Sequence, residues 1–382
     1  MTRIIIGIFL FIGTVSCVDR VFFDIPVPVV FKIAISGSVS DQPGPYKVNV
    51  FRAFDVESKE FTKTGVPAQR VIISDNEGNS ETLTQKEPGM YLTSVDGIRG
   101  KVENSYKVRV ELSDGRVYES IPDTLHAGGS LDSVYYQVAT TVDLSGVRNY
   151  FDIYTNSSKG ADNNAFYMWT NMVTYKAKTR PELEPYTMGH GLCYRDPQEN
   201  KCNFKNPCSG LKNVGTDYQP IFVRVKECEC CFCWYFQYSD DVMLNDNVPS
   251  INRNYNGYKI DHIRITGWLL MYKARLEVSF KSLSPRAYRF WKAVRDQRTA
   301  VSNIFQPVTG RIPGNLIQVE GTPESVDGLF YATSISNKIF YIQRDEVNAS
   351  LIPTTEFEHS DDFSCRNLAP NATVTKPDFW IE

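Results

Sequence analysis

Residues 105–112 alternate cleanly, with Tyr106, Val108, Val110 and Leu112 on one side of the chain, and the turn Ser113-Asp114-Gly115-Arg116 follows at once. A period of two places successive side chains on opposite faces of an extended strand, so this segment belongs to a sheet with one buried face. The same pattern recurs around it. Residues 30–39 alternate in part, and the turn Asp41-Gln42-Pro43-Gly44-Pro45 leads into residues 46–54. Residues 70–74 enter the turn Asp75-Asn76-Glu77-Gly78-Asn79, and extended stretches follow at 90–93 and 117–121. Strands spaced by about ten residues and joined by Asp/Gly turns predict an immunoglobulin- or fibronectin-like β-sandwich over residues 30–125.

A larger β-domain, sandwich or barrel-like, is expected over 126–382. Residues 133–142 and 150–154 have strand character. The stretch 165–176 is apolar on both alternating faces, with Phe166, Met168 and Met172 against Tyr167, Trp169, Val173 and Tyr175. Such a strand is covered on both sides. Residues 180–233 form a Cys-rich loop with few aliphatic side chains, and a loop of that length calls for staples or a function. One short helix is predicted over 284–299, capped by Ser284 with Pro285 in its first turn. Ala287, Phe290, Trp291 and Val294 make its apolar face. Arg286, Arg289, Lys292, Arg295 and Arg298 crowd the rest, which reads as a solvated face, with acidic lipid or a partner as the alternative. Strand signals resume at 316–319, 328–334 and 338–343.

The first sixteen residues have the plan of an export signal: Arg3, an apolar run over 4–12, then Gly13-Thr14-Val15-Ser16 before Cys17. The run is too short for a permanent span, which needs about 20 residues, so cleavage is expected. A cysteine directly after the small residues predicts a lipoprotein, with Cys17 as the lipidated N-terminus, although Thr14 stands where such signals usually carry leucine. The alternative is an ordinary secretory signal. Residues 17–29, with Pro26 and Pro28, read as an extended tether.

The chain carries 41 basic against 44 acidic side chains. That balance argues against nucleic acid, whose phosphates require a concentrated basic surface. Beyond Cys17 lie eight cysteines: Cys193, Cys202, Cys208, Cys228, Cys230, Cys231, Cys233 and Cys365. In an oxidising compartment an even set is read as disulfides. On a strand, Cys228 and Cys230 would face one way and Cys231 and Cys233 the other, which suits two sets of disulfides better than one tetrahedral zinc site. His126, His190, His262 and His359 have no nucleophile-elbow sequence beside them, so no catalytic residue is assigned and no enzyme is expected. The acidic run 356–362 reads as solvated, with metal ligation as the alternative. No cofactor is expected beyond an acyl lipid on Cys17.

Several short stretches, in order, resemble the domain-of-unknown-function 4249 family, predicted outer-membrane lipoproteins of Bacteroidota. They include Ser40-Asp41-Gln42-Pro43-Gly44-Pro45-Tyr46, Gly100 with Tyr106 and Asp114-Gly115, and Ser284-Pro285-Arg286-Ala287-Tyr288-Arg289-Phe290-Trp291. Asn303-Ile304-Phe305-Gln306-Pro307, Gly314-Asn315, Gly328-Leu329-Phe330, and Cys365-Arg366 with Lys376-Pro377-Asp378-Phe379-Trp380 continue the series. The cluster Cys228–Cys233 is denser than the family pattern. The resemblance supplies no catalytic residues. It implies a lipid-anchored outer-membrane protein, at the cell surface more than on the periplasmic face. Members are often encoded near TonB-dependent transporters, which implies an accessory subunit of an outer-membrane β-barrel complex, a transporter or an assembly machine. The alternative is a free-standing glycan- or peptide-binding or adhesive lipoprotein. Asp123-Thr124-Leu125 and Asp132-Ser133-Val134 fit the O-glycosylation pattern of the phylum.

Overall fold

The computed structural model describes residues 32–53, 64–144, 146–162, 164–180, 207–215, 221–239, 241–245, 254–301, 311–321, 324–353, 365 and 371–381. The leader, Cys17, the tether 17–29, Cys193, Cys202, His190, Asn303 to Pro307 and His359 with the acidic run 356–362 lie outside the described residues.

Mainly β-structure forms, as the alternation requires. The first sandwich has two six-stranded sheets. One runs in the order Val326–Thr333, Lys32–Ser40, Lys47–Ala53, Met90–Leu92, Thr84–Glu87, with Thr64–Gly65 beside Lys47–Ala53. The other runs Leu316–Glu320, Val117–Ser120, Ser105–Glu111, Arg70–Asp75, Ser80–Thr82, with Asp123–Thr124 beside Ser105–Glu111. Their inward rows meet in one core: Ile33, Ile35, Val48 and Val50 from the first sheet, Val71, Ile73, Tyr106, Val108 and Val110 from the second. Each such side chain contributes about 1.5–3 kcal/mol by leaving water.

Two strands of this sandwich come from beyond the expected span 30–125. Val326–Thr333 pairs in parallel with Lys32–Ser40, from Ile33 opposite Val326 to Ser40 opposite Thr333. Leu316–Glu320 pairs with Val117–Ser120. Local periodicity marks both as strands but carries no information about which distant edge they join. Glycine permits the parallel contact. Gly328 sits at φ 113°, and a Cβ there would strike the Ile35 carbonyl.

The second unit is also a sandwich. A three-stranded sheet (Ser130–Asp143, Gly146–Ser158, Asn254–Arg264) faces a six-stranded one in the order Ile335–Gln343, Lys273–Leu283, Phe166–Lys178, Phe232–Tyr238, Ala372–Thr373, with Met243–Leu244 paired to Phe166–Lys178. Tyr167, Trp169, Tyr255 and Phe280 pack between the sheets with Ile153, Leu276 and Val278. Tyr167 stacks on Phe280 with ring centroids 4.8 Å apart, and the buried Trp169 indole donates to Ser157 Oγ at 3.1 Å. Phe166–Lys178 is covered on both faces at its start, as its doubly apolar sequence requires, because the helix Pro285–Val301 lies over Met168 and Leu283. Ala287, Tyr288, Phe290, Trp291 and Val294 make that contact, and Phe166 stacks on Tyr288 at 4.2 Å. Ser284 caps the helix by accepting from the Ala287 N–H at 3.1 Å.

The sandwiches meet around Asp123. This buried carboxylate accepts from Ser284 Oγ at 2.6 Å and from the Ala332 N–H at 3.0 Å. The junction thereby joins the helix cap of one sandwich to a strand of the other. Ser334 alone separates Val326–Thr333 from Ile335–Gln343, and Asp41 accepts from both the Ser334 hydroxyl and the Ile335 N–H.

Candidate functional site

The outer face of the six-stranded sheet in the second sandwich carries a row of alternating polar groups. In Lys273–Leu283 the residues Lys273, Arg275, Glu277, Ser279 and Lys281 share that face, while Ala274, Leu276, Val278 and Phe280 turn inward. The register places Met168 beside Lys281, Thr170 beside Ser279, Met172 beside Glu277 and Thr174 beside Arg275. Two covers lie on this face. At one end the helix Pro285–Val301 sits above Met168 and Leu283.

At the other end is the C-terminal tail, held by a disulfide between Cys233 and Cys365 that spans 132 residues of sequence. The tail adds Ala372–Thr373 to the sheet edge opposite Tyr235 and Trp234. It also sets Phe379 against the Arg275 guanidinium, 4.3 Å from the ring centroid. Arg275 is only 4% exposed and donates to Glu277 at 2.8 Å. Beside the helix a half-open cleft of about 420 Å³ opens on this face, within the range of roughly 300–1,000 Å³ for small-ligand sites.

Met168, Met172, Trp291 and Tyr331 give the cleft an apolar lining, and Tyr238, Asp241, Glu277, Ser279, Lys281 and Arg298 give it polar groups. Burial pushes the Lys281 ammonium below the usual lysine range, with the Glu277 charge opposing that shift. Among the described residues no side chain pairs with Lys281 or with Arg298. The Tyr331 phenol is pushed up to about 12 by burial. The expected basic face of the helix therefore divides. Lys292 and Arg295 are paired with Asp296, Arg286 reaches the Pro122 carbonyl, and Arg298 lines the cleft. Nothing in the sequence reading singled out Lys281. Its signal was the unbroken polar row of Lys273–Leu283 opposite an apolar one.

The cysteine cluster is bonded as disulfides: Cys208 to Cys230 and Cys228 to Cys231, besides Cys233 to Cys365. The expected two-faced strand is corrected in one respect. Regular strand begins only at Phe232, so Cys228 and Cys231 lie in a bend and bridge each other across three residues. The tail cysteine Cys365 is the partner that alternation could not supply. Among the described residues no group of three metal-ligating side chains gathers.

Two histidines are paired with carboxylates. His126 Nδ1 lies 2.6 Å from Asp162. His262 is bonded to Asp152, which Lys259 also holds at 2.8 Å, and its ring stacks on Tyr150 at 3.8 Å. Burial raises the Asp152 carboxyl, but the bonds from Lys259 and His262 outweigh it and leave it below the usual range. Among the described residues no hydroxyl or thiol is bonded to either imidazole. Of the two glycosylation-like patterns, Asp123-Thr124-Leu125 is built into the junction, with Asp123 and Leu125 buried. Ser133 of the second accepts from the Asn156 amide.

Several residues that carried the family resemblance lie away from the cleft, although Trp291 of the helix stretch lines it. Asp41 lies at the joint of the sandwiches, while Gly100, Asn315 and Gly328 pack within the first one. Gly100 donates to the Ser40 carbonyl at 2.8 Å. The Asn315 amide, 1% exposed, donates to the Ile121 and Phe330 carbonyls and accepts from the Phe330 N–H. These residues hold an architecture. A family model described as "Domain of unknown function (DUF4249)" matches residues 19–339. No curated protein and no solved structure matches the chain.

Proposed function

The chain belongs to the domain-of-unknown-function 4249 family, and from that premise we propose that it is an accessory subunit of an outer-membrane β-barrel complex. In this reading it is exported, lipidated on Cys17 and displayed at the cell surface, where it contacts a TonB-dependent transporter or an assembly machine. The supporting observation is the hairpin of Ser130–Asp143 and Gly146–Ser158. The third strand of its sheet pairs with residues 150–158 and the Ile265 N–H still reaches the Asn149 carbonyl, so the ladder on that side stops at residue 149 and the turn end of the hairpin lies beyond it. The row that faces the core as Val134 and Tyr136 continues outward to Val138 and Val142. At the tip, Val142, Leu144 and Val147 are 77%, 109% and 66% exposed. Scattered apolar residues on a surface need no explanation, but a contiguous set on a projecting element marks a contact surface.

The test is extraction through an affinity tag in several mild detergents. A large barrel protein is expected to co-purify in fixed proportion, and Val142→Asp with Val147→Asp is expected to abolish its recovery without lowering the melting temperature. Recovery of the chain alone in every detergent, with the tip variant behaving as wild type, would sink the proposal. The runner-up, a free-standing glycan- or peptide-binding lipoprotein, is favoured by the cleft of the second sandwich and predicts tight binding on a glycan array with no barrel recovered.

A further inference from the structure

We propose that the cleft beside the helix Pro285–Val301, on the outer sheet face of the second sandwich, binds a small amphipathic monocarboxylate, with its anionic group on Lys281 and Arg298 and its apolar body along Met168, Met172 and Trp291. The inference is independent of whether the hairpin docks on a barrel.

Lys281 is the anomaly that carries it. The residue stands on a sheet face against Met168, next to a helix whose contacts there are apolar. Taking an ammonium out of water is costly unless an anion or acceptor replaces its hydration. The nearest carboxylate along the strand, Glu277, is already engaged by the Arg275 guanidinium at 2.8 Å, and Lys281 has no partner among the described residues. The half-buried Lys281, which makes no hydrogen bond among the described residues, opens onto the cleft, where the exposed Arg298 contributes a second positive charge from the last turn of the helix. An anion bound there would gain charge-assisted hydrogen bonds in a half-enclosed, low-dielectric site.

The remaining lining narrows the ligand class. Glu277 and Asp241 stand on the same walls, so a dianion such as a phosphate monoester meets repulsion that a monoanion does not. Met168, Met172, Trp291 and Tyr331 offer apolar surface more than hydrogen-bonding groups, which suits an acyl or aryl body better than an unsubstituted sugar.

The alternative is a lysine that merely snorkels, its methylenes packed and its ammonium in water. Calorimetric titration of the detergent-solubilised full chain separates the two. The probes are 3-phenylpropionate and its neutral counterpart 3-phenylpropan-1-ol. The acid is expected to bind about tenfold or more tightly than the alcohol. Lys281→Met, which keeps the packed stem, is expected to erase that preference, while Lys281→Arg retains it. Equal affinity for acid and alcohol, no heat from the acid up to millimolar concentration, or a Lys281→Met protein that binds the acid as wild type does would each overturn the proposal. Should Lys281→Met fail to fold, Arg298→Gln on the exposed helix surface decides. A severalfold weaker affinity for the acid supports the site, and an unchanged one removes it.

Discussion

Asp123 illustrates how much one residue can hold. Its carboxylate satisfies the helix-cap hydroxyl of Ser284 and the N–H of Ala332, two groups from different sandwiches. Burial raises its pKa, more than its hydrogen bonds and the charges of Arg286 and His126 lower it. The sign of the pH effect follows. A carboxyl whose folded pKa lies above the unfolded value binds more protons when folded. Its contribution to stability is therefore greatest below about pH 4, the unfolded value, and is lost as pH rises through the folded pKa. Asp123→Asn keeps an acceptor and abolishes the titration. Its stability deficit relative to wild type is expected to shrink between pH 4 and pH 7 in urea unfolding, and that of Asp123→Ala shrinks in parallel from a larger cost of about 1–3 kcal/mol at pH 4. A deficit for Asp123→Asn that grows toward neutral pH would contradict the assignment.

Among the elements, those written in local chemistry were legible. Ser105–Glu111 alternates without a break, and the helix carries its own cap, first-turn proline and apolar stripe. Elements defined by distant partners were not. The neighbour of Lys32–Ser40 is Val326–Thr333, far along the chain, and no period in either segment names the other. Disulfide formation was legible from the even cysteine set, but which cysteines pair was not, since Cys233 finds its partner at Cys365, 132 residues away. The tail is an element of this second kind, held by one crosslink, two strand residues and the stacking of Phe379 and Trp380. Replacing Cys233 and Cys365 together by alanine removes a crosslink over 132 residues, which costs on the order of 2–5 kcal/mol. The melting temperature is expected to fall, and limited proteolysis should release a C-terminal peptide containing Phe379 and Trp380. An unchanged melting point with a protected tail would show that the strand and aromatic contacts suffice alone.

At the scale of the whole molecule the chain leaves its first sandwich near residue 125 and comes back to complete it with Leu316–Glu320 and Val326–Thr333. A fragment of residues 30–125 would therefore expose one edge of each sheet and lose Leu316, Val326 and Phe330 from the core. It is expected to give the collapsed amide spectrum of an unfolded or aggregating chain in two-dimensional NMR. A fragment with residues 311–334 joined by a flexible linker is expected to disperse. Well-dispersed signals from 30–125 alone would mean that the returning strands are ornament. The candidate cleft was the least legible part of the molecule. It is assembled from a helix and from strands and a loop remote from it in sequence, which meet over one sheet face.

The parallel pairing of Lys32–Ser40 with Val326–Thr333 also has a mechanical reading. If the segment before Lys32 tethers the protein to a membrane, a pull enters at the start of one strand. It leaves through the end of the other, since Thr333 continues by way of Ser334 into the second sandwich. Those two points lie at opposite ends of the pair. The load then acts along the strands as shear and is shared by the whole ladder at once, where an antiparallel hairpin pulled at its open end would unzip one bond at a time.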